Sequence, residues 1–263
     1  DCSMDNTIFN SVIQNYKNLK SVQAIALGGS SAAKTHDSSS DLDVYVFTKE
    51  SIPVKTRENF IKKISSNYEV GGEYFGLGDE FFVNKLNKQL DVMYWDKNWF
   101  SNIVENIWVK HYPSNGYTTS FLYTLQNFNI LHDKDNWLKK LQEKISSPYP
   151  KALKDNIITR NMMLLKDKPF ASYYEQIEKA IKRNDIVSIN HRIAAFMASY
   201  FDILFAANEL LHPGEKRLIK YAKDNCKKLP QNFEKDIANL LKQPNSDTLN
   251  ILDSLVKNIK KII

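Results

Sequence analysis

Apolar residues recur at helical spacing through Ile8, Val12, Ile13, Tyr16 and Leu19, behind Asn6 and Thr7 as caps, and predict a first helix over 7–19. A short apolar run, Val22 to Leu27, stops at Gly28-Gly29 and reads as a buried strand. A polar stretch of small residues, Ser30 to Ser40, leads into a second strand, Asp41 to Phe47, where Leu42, Val44 and Val46 alternate with Asp43, Tyr45 and Phe47. Residues 54–68 predict an amphipathic helix through Phe60, Ile61, Ile64 and Tyr68. Gly71-Gly72 and Gly76-x-Gly78 mark turns ahead of Glu80 to Val83, and Leu90 to Trp95 predicts a third strand.

The pattern changes after Leu131. Residues 136–145 are helical, and Ser146-Ser147-Pro148-Tyr149-Pro150 reads as a linker. Helical periodicity then continues over 152–165, 170–182, 185–210, 214–225, 231–242 and 246–262. The expectation is an α+β chain: an α/β domain with a mixed sheet over 1–135, then a helical bundle over 136–263.

Composition narrows the class without naming a function. The 263 residues are 43% hydrophobic and 12% aromatic, enough for a packed core and too apolar for a disordered chain. No run approaches the roughly 18 consecutive apolar residues of a membrane span, and residues 1–10 lack the basic and apolar regions of a secretory signal. Two cysteines, Cys2 and Cys226, do not make a disulfide framework, so the expected location is cytoplasmic. Charge is uneven: residues 1–130 hold 12 Lys+Arg against 14 Asp+Glu, and residues 131–263 hold 24 against 16. A basic half beside a slightly acidic one suggests an anionic ligand between them, although a solvated lysine surface explains the same numbers.

Candidate chemistry begins at Leu27-Gly28-Gly29-Ser30-Ser31, a turn between a strand and a short helix. Glycines allow a close approach to phosphate, free amides at a helix start attract anions, and Ser30 adds a hydroxyl; an ordinary tight turn has the same residues. Ten residues on comes Ser40-Asp41-Leu42-Asp43. Asp41 and Asp43 are two apart on a strand and project to the same side, where their mutual repulsion calls for a cation; taken alone, the pair reads as well as two carboxylates at the exposed start of a strand. Mg²⁺ takes hard oxygen ligands of this kind. Asp91, within Leu90-Asp91-Val92-Met93-Tyr94-Trp95, brings a third carboxylate if its strand lies alongside. Three such groups suit two Mg²⁺ ions and in-line displacement at phosphorus.

In Gly29-Ser30, Asp41-x-Asp43 and Asp91 the chain resembles the polymerase-β-like nucleotidyltransferase superfamily. Further likeness lies in Gly116-Tyr117, in Asn129 to Asp135 and in Asn208 to Arg217, which is similar to the helical domain of small-molecule, antibiotic-modifying nucleotidyltransferases. Lys34, Thr35 and His36 stand where many members have glycine. The resemblance implies that Gly29, Ser30 and Ser40 hold a triphosphate, and that Asp41, Asp43 and Asp91 bind two Mg²⁺ ions. It also implies that Asp91 accepts the proton of an attacking hydroxyl and that Lys216 reaches the β/γ-phosphates. Glu209 is a candidate acceptor-binding or general-base carboxylate, and Glu80 a further one; each is equally readable as a solvated surface group. The expected reaction moves a nucleoside monophosphate, AMP from ATP or another NTP, to a hydroxyl of a small molecule. RNA or protein as acceptor, and an inactive nucleotide-binding chain, remain alternatives, with no nucleic-acid-binding motif in the sequence to favour the first. Polycationic acceptors would require carboxylates such as Glu80, Glu209 and Glu215 at the site to offset the basic half.

Overall fold

The computed structural model describes residues 2–29 and 41–263, with only the backbone of 2–6. Ser30, Ser40 and the stretch between them, including Lys34, Thr35 and His36, lie outside the described residues. By contacts the chain forms two compact units, residues 1–104 with 124–147, and residues 105–123 with 148–263.

The first unit is built on a six-stranded mixed sheet in the order β3-β4-β5-β2-β1-β6. Its strands are β1 (Val22–Gly28), β2 (Leu42–Thr48), β3 (Tyr68–Gly72), β4 (Gly78–Val83), β5 (Lys88–Asp96) and β6 (Asn129–Asp133). The central pair, β2 and β5, is parallel, and every other pairing is antiparallel. One face carries Val44, Val46, Leu90 and Val92, packed with Val12, Ile13 and Tyr16 of helix α1 (Cys2–Lys17). Each of those side chains, fully buried, contributes roughly 1.5–3 kcal/mol of hydrophobic stabilisation.

The other face is aromatic. Phe47 and Trp95 meet Phe100 of helix α3 (Lys97–Val104), with ring centroids 5.1 and 5.3 Å away. Phe47 also meets Trp137 of helix α5 (Trp137–Ile145) at 5.2 Å. Gln142 ties α5 down by donating to the carbonyls of Leu125, in helix α4 (Ser120–Gln126), and Phe128. The helix expected over 54–68 is shorter: α2 spans Val54–Ile61, and Tyr68 opens β3. Ser65 is the physical reason, because its hydroxyl donates to the Asn67 carbonyl and accepts from the Asn67 amide, offering the backbone an alternative to the next turn.

The second unit is helical: α6 (Lys151–Met162), α7 (Tyr173–Lys182), α8 (Ile186–Ala207), α9 (Leu218–Asn225), α10 (Phe233–Leu240) and α11 (Thr248–Lys260). Helix α8 is its axis, buried continuously from Ser199 to Ala207. A helix apolar around its whole circumference belongs inside a bundle. Side chains of Ser172 and Asp185 cap α7 and α8 by accepting from the amides of Glu175 and Ser188. The helix expected from 214 begins at Leu218, since Gly214 and Arg217 hold φ of 100° and 57°. Among the described residues no helix is long and apolar enough to cross a membrane.

Candidate active site

One row of paired residues crosses the sheet of the first unit. Gly28 on β1 faces Asp43 on β2, Asp43 faces Asp91 on β5, Asp91 faces Glu80 on β4, and Glu80 faces Glu69 on β3. Directly paired residues share a face, and neighbouring strands lie about 4.8 Å apart. Four carboxylates therefore stand side by side. Next along the same face come Tyr45 with Met93, then Phe47 with Trp95, so the acidic row borders the aromatic layer. Asp43 and Asp91 are half-buried there, whereas Asp41 is exposed just ahead of β2.

The two glycines answer to the side chains opposite them. A Cβ on Gly29, whose φ is 60°, would stand 2.2 Å from Asp43 Oδ2, and one on Gly28 would stand 2.4 Å from Tyr45 Cε2. No side chain fits at either position without displacing Asp43 or Tyr45. The turn thus lets the backbone close on the carboxylate, a use of glycine beyond the phosphate approach expected from sequence.

Partial burial, followed by the charges of Asp91, Glu69 and Asp41, holds the Glu80 carboxyl above its ordinary range. Burial and the Asp43 charge push the Tyr45 phenol up to about 12, so it stays neutral. Asp91 Oδ1 accepts from Gln89 Nε2 at 2.8 Å. Beside the row is a hollow of about 240 Å³ that includes Asp43, Asp91, Glu80 and Glu69. Tyr74 and Phe75, at the tip between β3 and β4, line it while 89% and 99% exposed.

The opposite face of β4 holds the hairpin in place. Asp79 points inward, where Tyr94 donates to it at 2.6 Å, the Gly71 amide donates at 2.9 Å and Arg57 of α2 lies 3.5 Å away. Arg57 also sits over the Tyr94 ring, 4.5 Å from its centroid. Adjacent positions on β4 thus have different duties: Asp79 anchors the strand, and Glu80 faces the carboxylate row.

Of the residues expected from sequence, the register brings Asp43 and Asp91 together, Gly29 lies against Asp43, and Asp41 stands at the strand entrance. Among the described residues, no three Asp, Glu, His or Cys side chains are drawn together as a metal cage, so the expected convergence of three carboxylates is not seen as such. The donors that are present, the half-buried carboxylates of Asp43 and Asp91 with the exposed one of Asp41, have the hard-oxygen chemistry that suits Mg²⁺. Lys216 and Glu209 belong to the second unit. Lys216 is exposed in a turn before α9, not within its first helical turn; Glu209, at φ 55°, lies 4.0 Å from Lys154. Sequence reasoning passed over Glu69. Its signal was the pair of glycine turns, which mark the fold of β3 onto β4 but not the register that sets it opposite Glu80.

Residues 7–112 match the family model described as nucleotidyltransferase domain, and residues 116–218 match one described as a domain of unknown function, DUF4037. No curated protein matches the chain. Among solved structures it is similar to a nucleotidyltransferase-like protein from Exiguobacterium sibiricum 255-15, at 9% identity and a TM-score of 0.48, over 98% of this chain and 74% of that one. It is also similar to the STING-associated CdnE c-di-GMP synthase from Capnocytophaga granulosa, at 14% identity and a TM-score of 0.29, over 98% and 79%.

Proposed function

We propose, with the nucleotidyltransferase domain of residues 7–112 as premise, that this chain moves a nucleoside monophosphate from a nucleoside triphosphate to a hydroxyl of a small molecule and releases pyrophosphate. The observation that carries the reading is the register pairing of Asp43 with Asp91, with Gly29 closed against the Asp43 carboxylate. AMP from ATP is the donor group the reading takes first.

Asp43, Asp91 and Asp41 would hold Mg²⁺, which when bound offsets the charge of the triphosphate. Asp91 would take the proton of the attacking hydroxyl on Oδ2, since Gln89 donates to its Oδ1. As the hydroxyl oxygen bonds to the α-phosphorus, the bridging P–O bond breaks and its electron pair leaves with pyrophosphate. The Gly29 amide, together with Ser30 and Ser40 outside the described residues, would bind the phosphate tail. Lys216 as a phosphate ligand and Glu209 as an acceptor-side carboxylate belong to the same proposal. The remaining contribution is positioning, since catalysis at phosphorus rests on alignment and charge.

Glu69 and Glu80 favour an acceptor with positive charge. They extend the carboxylate row toward the hollow, which answers the objection raised by the basic second half and keeps cationic, hydroxyl-rich antibiotics within the class. The test is incubation with Mg²⁺, α-phosphate-labelled ATP or GTP and pooled hydroxyl-bearing small molecules, followed by separation by size. Label on a small product is the expected result. Label on RNA or protein replaces the acceptor class, and absence of both transfer and Mg²⁺-dependent nucleotide binding overturns the proposal.

A further inference from the structure

The second unit contains a pocket of its own, about 500 Å³ in volume. Its walls include Met197, Phe201, Ile219 and Ile237, which are apolar, and the ring of Tyr117. Three exposed charges, Glu215, Arg217 and Lys220, also line it. A concave, mainly apolar space with a few polar groups is the usual form of a small-molecule site.

Its frame is unusually constrained. Gly116 and Gly214 hold positive φ, which glycine adopts freely, while Tyr117 and Arg217 hold it against the usual preference of residues with a side chain. A Cβ on Gly116 would meet Ala198 at 2.9 Å, so this loop lies directly on α8. Asn161 Oδ1 accepts from the Gly116 amide at 3.1 Å, and Asp202 Oδ1 accepts from the Thr118 amide at 3.1 Å. The His212 amide donates to Thr119 Oγ1 at 2.8 Å, joining the two loops that flank the pocket.

His212 lines this pocket and is fully buried. Its Nδ1 accepts from the Gly214 amide at 3.0 Å, which fixes the tautomer: the proton of the neutral ring is on Nε2. That Nε2 is buried without a hydrogen-bond partner. A buried donor left unpaired costs about 1–3 kcal/mol. Two rings pack against the imidazole: buried Phe205 meets it edge-on at 5.0 Å between centroids, and Tyr117, 38% exposed, lies 4.6 Å away on the pocket side.

We propose that this pocket binds a flat heteroaromatic ring, which enters beside Tyr117 and accepts a hydrogen bond from His212 Nε2, with its substituents ending among Arg217, Lys220 and Glu215. The inference goes beyond nucleotidyl transfer and stands without it. Two sources offer this chemistry, the base of a nucleotide and the ring of an aromatic acceptor, and the probes separate them.

The full chain, labelled with ¹⁵N-histidine and kept in chelator without triphosphate, is titrated with quinoline, indole and adenosine while the His212 nitrogens are followed. Quinoline presents a ring acceptor; indole presents a donor alone. A shift at His212 Nε2 with quinoline or adenosine is the expected result, with indole at least about tenfold weaker than the ring that binds. Adenosine alone identifies a base site, quinoline alone an acceptor-ring site, and both a site that reads the ring without its substituents. Ala194 lines the pocket from the exposed side of α8, so Ala194→Trp fills the space without touching the core and weakens binding about tenfold or more. No shift at His212 with quinoline or adenosine, indole binding as tightly as the better of them, or binding unchanged in Ala194→Trp overturns the proposal. None of these outcomes depends on Asp43 or Asp91, so transfer activity is judged separately.

Discussion

Gly29 and Asp43 compete for one space, and that makes their substitutions informative in different ways. Alanine at 29 needs a Cβ where Asp43 Oδ2 now stands, at a φ of 60°. The backbone strain alone is about 1–2 kcal/mol, a modest loss of stability. Displacing the carboxylate is the larger effect for function, and Gly29→Ala is expected to lower kcat for transfer by about a hundredfold or more. Urea unfolding beside turnover checks both parts. Asp43→Asn separates the two quantities. Transfer falls on the order of a thousandfold while the protein stays folded. Asp91→Asn should behave alike in stability and lose turnover with nucleotide binding retained, as a proton acceptor would. Full activity in either Asp variant removes this pair from the mechanism.

At the scale of elements, the β3–β4 hairpin is what completes the acidic row, and it depends on a buried ion pair. Arg57 and Asp79 are 2% and 1% exposed, and Asp79 also accepts from Tyr94 and the Gly71 amide. Arg57→Met leaves Asp79 charged and buried without its counter-charge, and is expected to cost about 3–5 kcal/mol in urea unfolding. A loss below about 1 kcal/mol would mean that the hairpin is held by its ladder alone. Much of this element was legible. The alternation of Asp41 to Phe47 gave the face of Asp43, and the run around Asp91 gave β5. The glycines marked turns ahead of Glu80, but the pairing of Glu69 with Glu80 was not legible, because it rests on a register shift between Val70 and Gly72. Three other things were not legible. The parallel register of β2 on β5 depends on a long crossover that no local pattern fixes. The exchange of residues 105–123 for 124–147 between the units follows tertiary contacts, such as Gln142 on Leu125 and Asn161 on Gly116, which periodicity does not encode. Ser65 ended α2 through a side-chain hydrogen bond that a helical pattern through Ile64 and Tyr68 concealed.

For the whole molecule, stability against pH is governed in part by two buried groups that pull in opposite directions. Burial raises the Asp202 carboxyl to about 7, against the donors Thr118 and Asn161 that favour its charge. Its folded form therefore binds the proton that the unfolded chain has lost between about pH 4 and 7. Asp202 makes the protein less stable as pH rises through that window, by about 4 kcal/mol in all. Burial lowers His212 to about 4. Here the unfolded chain binds the proton first, so stability falls as pH drops below the ordinary value of 6.5, by about 3 kcal/mol in all. The two nearly offset each other in the natural chain, and each is exposed by removing the other. Relative to the natural chain, Asp202→Asn should lose stability steadily as pH is lowered from 7 to 4. His212→Gln, which keeps an acceptor for the Gly214 amide, should gain it. The many surface titrations of a chain with net charge +6 are common to both and cancel in the difference. Urea unfolding at pH 4.5, 5.5 and 6.5 reads the two slopes directly, and parallel curves for the natural chain and either variant would show that the corresponding group does not titrate in that window.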